Sequence, residues 1–216
     1  MARPAESAAP LPSETRDRIV TAALEIFTEK GFEAASTRQI AARVGVNHGL
    51  IPYYFGTKLK LWQAAVEHAF ADMQDEIEAI FDEPGTLPPR ERAARMIRTH
   101  VRFVARRPEF VRLMYEEGKR RGERMRWIVD RHVKPLYEAV AAVVEEVSPG
   151  GPLAGASPVH FFYALAGSSG LVFHQAEECR RVSGADPFDP AFVETHARIV
   201  EWMLLGPVAA SEEDNR

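Results

Sequence analysis

The stretch GVNHGLIPYYF, Gly45 to Phe55, decides how the chain is read. Two glycines, a proline and two adjacent tyrosines make it an awkward helix, yet helical periodicity lies on both sides. Upstream, Ile19, Ala23, Ile26 and Phe27 form an apolar stripe that Gly31 ends. Ser36-Thr37-Arg38-Gln39 matches a capping box, in which an N-cap Ser is answered by a Gln three positions on. Ile40, Ala41 and Val44 share one face until Gly45 stops that helix. Asn47 is placed to cap the next helix, and Gly56 ends it quickly. Thr57 then caps a long fourth helix with Trp62, Val66, Ala69, Met73, Ile77 and Ile80 on one side, stopped by Pro84-Gly85. Two short helices about the tight turn Gly45-Val46-Asn47 make a helix-turn-helix.

In such a motif the second helix enters the major groove with its N-terminal residues against base edges. The candidates for DNA contact are Thr37 and Arg38, then Asn47, His48 and Gly49, then Tyr53, Tyr54 and Lys58. Gly49, having no Cβ, lets the backbone approach the duplex. Tyrosine hydroxyls can donate to phosphates, and their rings can lie against thymine methyls. Lys58, in the first turn of its helix, opposes the helix dipole. It therefore needs a reason, and a phosphate held at that helix end supplies one. Val46, Phe27 and Phe55 read as core, Lys60 as plain surface, and Arg43 as either a DNA contact or a solvated residue. The charge pattern agrees. The net charge is −4, but no acidic residue occurs from Ala34 to Val66, where Arg38, Arg43, Lys58 and Lys60 stand. A local basic excess in an acidic chain is an electrostatic footprint for nucleic acid.

Residues 16–70 carry a more specific signal in Arg16, Ile19, Ala22, Ala23, Phe27, Gly31, Phe32, Thr37, Ile40 and Ala41, followed by Gly45, Val46, Gly49, Tyr54, Phe55, Lys58 and Leu61. With this spacing the segment resembles the N-terminal domain of TetR-family transcriptional regulators. The resemblance implies a homodimer that binds a palindromic double-stranded DNA operator and is released by a small-molecule effector held in the C-terminal helices. Pro52 departs from the family pattern, which has a tyrosine there that often touches a phosphate. Proline lacks a backbone donor and biases Ile51 away from helical angles, so Tyr53 is expected to point differently.

The rest of the chain continues in helical periods, and the expected fold is all-α with about nine helices. Pro88-Pro89 opens a helix, Pro108 divides it from the next, and Gly118 and Gly122 bracket a basic turn. Pro135 should kink the helix that runs on to Val147. Ser157-Pro158 and Asp189-Pro190 start the last two helices. The expected organisation is a disordered arm at 1–13, a DNA-binding domain at 14–60, an effector-binding and dimerisation domain at 61–207, and a loose acidic tail at 208–216. No charged residue occurs from Val147 to Ala176, but Pro and Gly break the first part and the apolar remainder is too short to span a membrane. One cysteine, Cys179, excludes a disulfide framework and suits a reducing, cytoplasmic setting.

The last two helices are apolar and carry the small run Ala166-Gly167-Ser168-Ser169-Gly170, which suits close helix contact and the homodimer the resemblance implies. Aromatic and polar residues suggest an effector site for a small apolar or aromatic molecule. Its candidates are His100, Phe103, Phe110, Met114 and Tyr115, with Trp127, Phe162, Tyr163 and Phe173. No cofactor, metal site or catalytic set is expected. No His follows a Glu by three positions, and no His-Glu-x-x-His, phosphate loop, nucleophile elbow or Cys pair occurs. A helical ligand carrier without DNA binding is the main competing class, with Pro52 as its support; a helical enzyme is the weaker one.

Overall fold

The computed structural model describes residues 12–81, 87–147 and 155–207. Most of the expected arm, the acidic tail and the Pro84-Gly85 stop lie outside the described residues. The described chain is helical throughout and forms two compact units, Met1–Ala71 and Asp72–Arg216.

The first unit holds α1 (Pro12–Ala34), α2 (Thr37–Val44), α3 (Leu50–Phe55) and the first part of α4 (Lys58–Phe81). α1 starts inside the expected arm and is interrupted at Gly31, whose φ of 77° and ψ of 160° are not helical. Its stripe of Ile19, Ala23, Ile26 and Phe27 is buried with Ile40 and Val44 of α2, Ile51 and Phe55 of α3, and Leu61, Trp62 and Val66 of α4. Phe32 stacks on Phe27 at 5.7 Å and meets Trp62 edge-on at 6.1 Å. Because Leu61, Trp62, Ala65 and Phe70 complete this core, the unit reaches Ala71, beyond the boundary expected after residue 60.

The second unit holds the rest of α4 and α5 (Pro89–Arg106), α6 (Pro108–Gly118), α7 (Glu123–Ile128), α8 (Lys134–Val147), α9 (Pro158–His174), α10 (Ala176–Ser183) and α11 (Pro190–Leu205). α5 is its centre and packs against α11, α9 and α8. Two ion pairs edge the α5–α11 seam. Arg98 meets Glu201 at 2.7 Å, and Arg102 grips Glu194 with two bonds of 2.7 and 2.6 Å. Arg90 donates to the carbonyls of Leu205 and Gly206 at 2.9 and 2.6 Å, closing the end of α11 with a cation where the helix dipole is negative.

Two expectations change. The count of about nine helices missed α10, which follows α9 after a break at Gln175, where φ is −103° and ψ 35°. The anticipated disturbance near Pro135 takes the form of a π-helical turn, Val129–Val133, in which the Lys134 N–H reaches the Val129 carbonyl. The ladder widens by one residue just before the proline, which has no N–H to give it.

His100 on α5 is half-buried, and burial pushes its pKa down from 6.5 to about 4. Between those two pH values the unfolded chain takes up a proton that the folded chain resists, so stability falls as pH drops through that window. Urea unfolding should show a loss that reaches about 2 kcal/mol by pH 5, and His100→Gln should flatten it. A pH-independent midpoint in the native chain would contradict this.

Between α3 and α4, Gly56 has φ 72° and ψ −63°, and the Thr57 N–H bonds the Phe55 carbonyl at 2.8 Å. This is a γ-turn, a strained conformation that glycine tolerates best. Gly56→Ala should cost about 1–3 kcal/mol in urea unfolding. An unchanged midpoint would mean the turn relaxes freely.

Candidate nucleic-acid interface

The interface is built from the two ends of α2 and the whole of α3. At the start of α2, Ser36 is extended, its Oγ accepts from Gln39 N at 3.2 Å, and Gln39 Oε1 accepts from Ser36 N at 3.2 Å. The expected capping box is complete. At the other end Gly45 is left-handed, with φ 73°. Gly45 N donates to Ala42 O at 3.2 Å and Val46 N to Ala41 O at 3.0 Å. That pair of bonds is the Schellman closure, which satisfies the last carbonyls of the helix and turns the chain sharply.

The turn that follows is fixed by Asn47. Its Oδ1 accepts from Gly49 N at 2.8 Å, and its carbonyl accepts from Leu50 N at 3.0 Å. Asn47 therefore caps a turn, and regular helix begins only at Leu50. Gly49 is in ordinary helical space, with φ −60°. A Cβ there would lie 3.1 Å from Asn47 Oδ1, so the glycine also makes room for the cap.

Pro52 is accommodated, and the expected bias against helix at Ile51 is overridden. Ile51 is helical and buried, and its N–H bonds the His48 carbonyl at 3.1 Å. Pro52 falls in the first turn of α3, where backbone N–H groups have few partners within the helix to lose.

α3 buries Ile51 and Phe55, one turn apart, and presents its other side. Arg38, Asn47, His48, Gly49, Pro52 and Tyr53 are exposed, Tyr53 at 78%. Thr37, Tyr54 and Lys58 are half-buried. The rings of Tyr53 and Tyr54 meet at 5.1 Å and 71°. The Thr37 hydroxyl lies 2.9 Å from His48 Nε2, joining the start of α2 to the turn before α3.

The cations divide in a way the sequence does not show. Arg43 pairs with Glu25 at 3.0 Å and Glu29 at 3.6 Å, both on α1. Lys58 donates to the Glu33 carbonyl at 3.2 Å and lies 4.6 Å from the centre of the Phe32 ring. Its place in a first helical turn thus has an intrachain reason and does not require a phosphate. Arg38 and Lys60 are exposed, with no ion pair among the described residues. Arg16 stands beside α3, its guanidinium carbon 5.4 Å from the centre of the Phe55 ring. Sequence spacing gives no hint of that neighbour, because it comes from tertiary packing.

In the second unit the effector candidates scatter. Phe103 and Phe110 are buried against each other at 5.2 Å, and Phe173 is buried beside Phe188 and His196, each at 5.8 Å. These rings serve packing. Tyr163 is 67% exposed on α9 and faces away from the core. His100, Met114, Tyr115, Trp127 and Phe162 are half-buried. His174, which the sequence did not single out as an effector candidate, stacks on Tyr115 at 4.5 Å and 6°. The small run of α9 also splits. Ser169 and Gly170 face inward, a Cβ on Gly170 lying 3.2 Å from Val111 Cγ1, whereas Ala166 and Gly167 are exposed. Exposed apolar side chains continue that outer face as Val159, Tyr163 and Leu171, and α11 exposes Ile199, Trp202 and Met203.

Among the described residues, no group of three or more His, Cys, Asp or Glu could hold a metal ion, and no helix is long and apolar enough to cross a membrane.

Residues 19–65 match the family model of bacterial regulatory proteins, tetR family. The chain is 34% identical over 110 residues to the transcriptional repressor NicS of Pseudomonas putida, covering 50% of each protein. It is 32% identical over 117 residues to the transcriptional regulator BetI of Rhizobium meliloti, covering 53% of this chain and 57% of that one. The chain thus spans about half the length of these curated relatives. Its fold matches that of AibR, solved in complex with isovaleryl coenzyme A and operator DNA, at a TM-score of 0.70 and 18% identity over 90% of this chain and 100% of that one. The helix-turn-helix geometry agrees with the tetR-family model over residues 19–65, and the chain is similar in sequence to these regulators over about half its length and in fold to AibR.

Proposed function

We propose that the chain is a ligand-responsive repressor. Two copies bind a palindromic operator through their α2–α3 heads and leave it when a small apolar or aromatic effector binds the second unit. The observation that carries this reading is the outward side of α3 and its preceding turn: exposed, free of acidic residues and held at both ends by glycine-dependent turns. The DNA-binding domain expected at 14–60 is assigned to the first unit, which extends it to Ala71, and effector binding and dimerisation to the second, up to residue 207. Two recognition helices reading a palindrome must sit about one DNA turn apart, ~34–36 Å. The exposed apolar sides of α9 and α11, with Tyr163 and Trp202 most open, suit the pairing of two copies that this spacing requires.

Control follows by linkage. An effector that prefers a form with wrong head spacing lowers operator affinity by its differential affinity for the two forms. His100, Met114, Tyr115, Trp127 and Phe162 are the residues offered to it, and His174 joins them through its stack on Tyr115. The NicS repressor and AibR, solved in complex with isovaleryl coenzyme A and operator DNA, support by analogy a chain that binds both an operator and a small molecule. Repression is the simpler sign, because an operator overlapping a promoter needs no further protein contact.

Selection from a random duplex pool tests the proposal. The native chain should enrich a palindrome. Tyr54→Phe and Arg38→Ala should weaken its binding, and Trp202→Asp, which places charge on the exposed apolar side of α11, should abolish the two-fold symmetry of the selected site. No enriched sequence, with equally weak binding to every duplex, would sink the proposal and favour a helical carrier.

A further inference from the structure

Thr37 and His48 lie eleven positions apart in the chain, yet their side chains meet at 2.9 Å. Both anchor points are held. Thr37 follows Ser36 inside a closed capping box. The His48 carbonyl accepts from Ile51 N, and the residues on either side of it are fixed by the bond from Gly49 N to Asn47 Oδ1. The ring of His48 is nevertheless exposed, and Nδ1 has no hydrogen-bond partner among the described residues.

We infer that His48 reads a base edge through Nδ1, and that Thr37 is the positioning residue that aims its ring. The inference rests on the operator-binding reading above. Thr37 is the first residue of α2, so its hydroxyl has no earlier carbonyl of the same helix to bond. With Thr37 Oγ1 taken as the donor to Nε2, the ring proton is left on Nδ1 as an outward donor. A donor in the major groove matches guanine best, because guanine offers two acceptors, N7 and O6, and neither a donor nor a methyl group. Holding the ring before DNA arrives also removes part of the ordering cost that an exposed side chain pays on binding. Thr37 thereby acts on sequence preference through His48 rather than as a direct DNA contact.

The same duplex selection, run with His48→Ala, Thr37→Val and Thr37→Ser, tests this, with thermal melting to confirm that each variant folds. The native chain should prefer guanine at one symmetric position in each half-site. His48→Ala and Thr37→Val should each lose about tenfold of that preference and leave other positions unchanged, while Thr37→Ser, which keeps the hydroxyl, should retain it. Uniform weakening on every duplex by Thr37→Val would identify a phosphate contact and overturn the inference, as would His48→Ala that changes no position. If the native chain enriches nothing, the operator reading falls first and takes this inference with it.

Discussion

A helix of six residues cannot hold its own shape in water, because the cost of nucleation exceeds what so few hydrogen bonds return. α3 is such a helix, and everything proposed for this protein depends on its being fixed. Two things fix it. Ile51 and Phe55 bury one side in the small core, and the chain enters and leaves through conformations that glycine alone adopts cheaply, at Gly45 and Gly56. The opposite side is thereby free to carry side chains chosen for a partner rather than for packing.

The fold was legible in the sequence wherever a local rule acted. The Ser36–Gln39 box, the Gly45 stop and the Thr57 cap all form as their residue types dictate, since each depends on atoms within a few positions of one another. Pro52 misled because the reading placed it inside the helix, whereas Leu50 is the first helical residue and the proline sits where its missing donor costs little. α10 was missed because Gln175 breaks the chain without a glycine or proline to mark the place.

The candidate site was legible as a location and less so as a set of roles. Arg38, His48 and Tyr53 are exposed where the motif puts them. Arg43 and Lys58 look alike in sequence but are bound to α1, Arg43 through two glutamates and Lys58 through a carbonyl and the Phe32 ring. Such partners lie many positions away, and no spacing rule reveals them. The effector candidates fared worse for the same reason. Aromatic residues at helical spacing serve a core, a surface or a cavity equally well, and only packing separates Phe103 in the core from Tyr163 on the outside.

This division of the cations makes the electrostatic account quantitative. Arg38 and Lys60 are exposed near α3 without an ion pair among the described residues, and Arg16, beside Phe55, is held only by Asp17 of its own helix at 3.8 Å, which makes two or three available cations in each copy of the proposed dimer. Affinity for the selected duplex should be measured as a function of salt. With about 0.9 counterion released per phosphate neutralised, the slope of log K against log salt should be about −4 to −6 for the dimer. A slope near zero would show that the acid-free surface makes no phosphate contacts, and the account of this protein as an operator-binding regulator would be wrong.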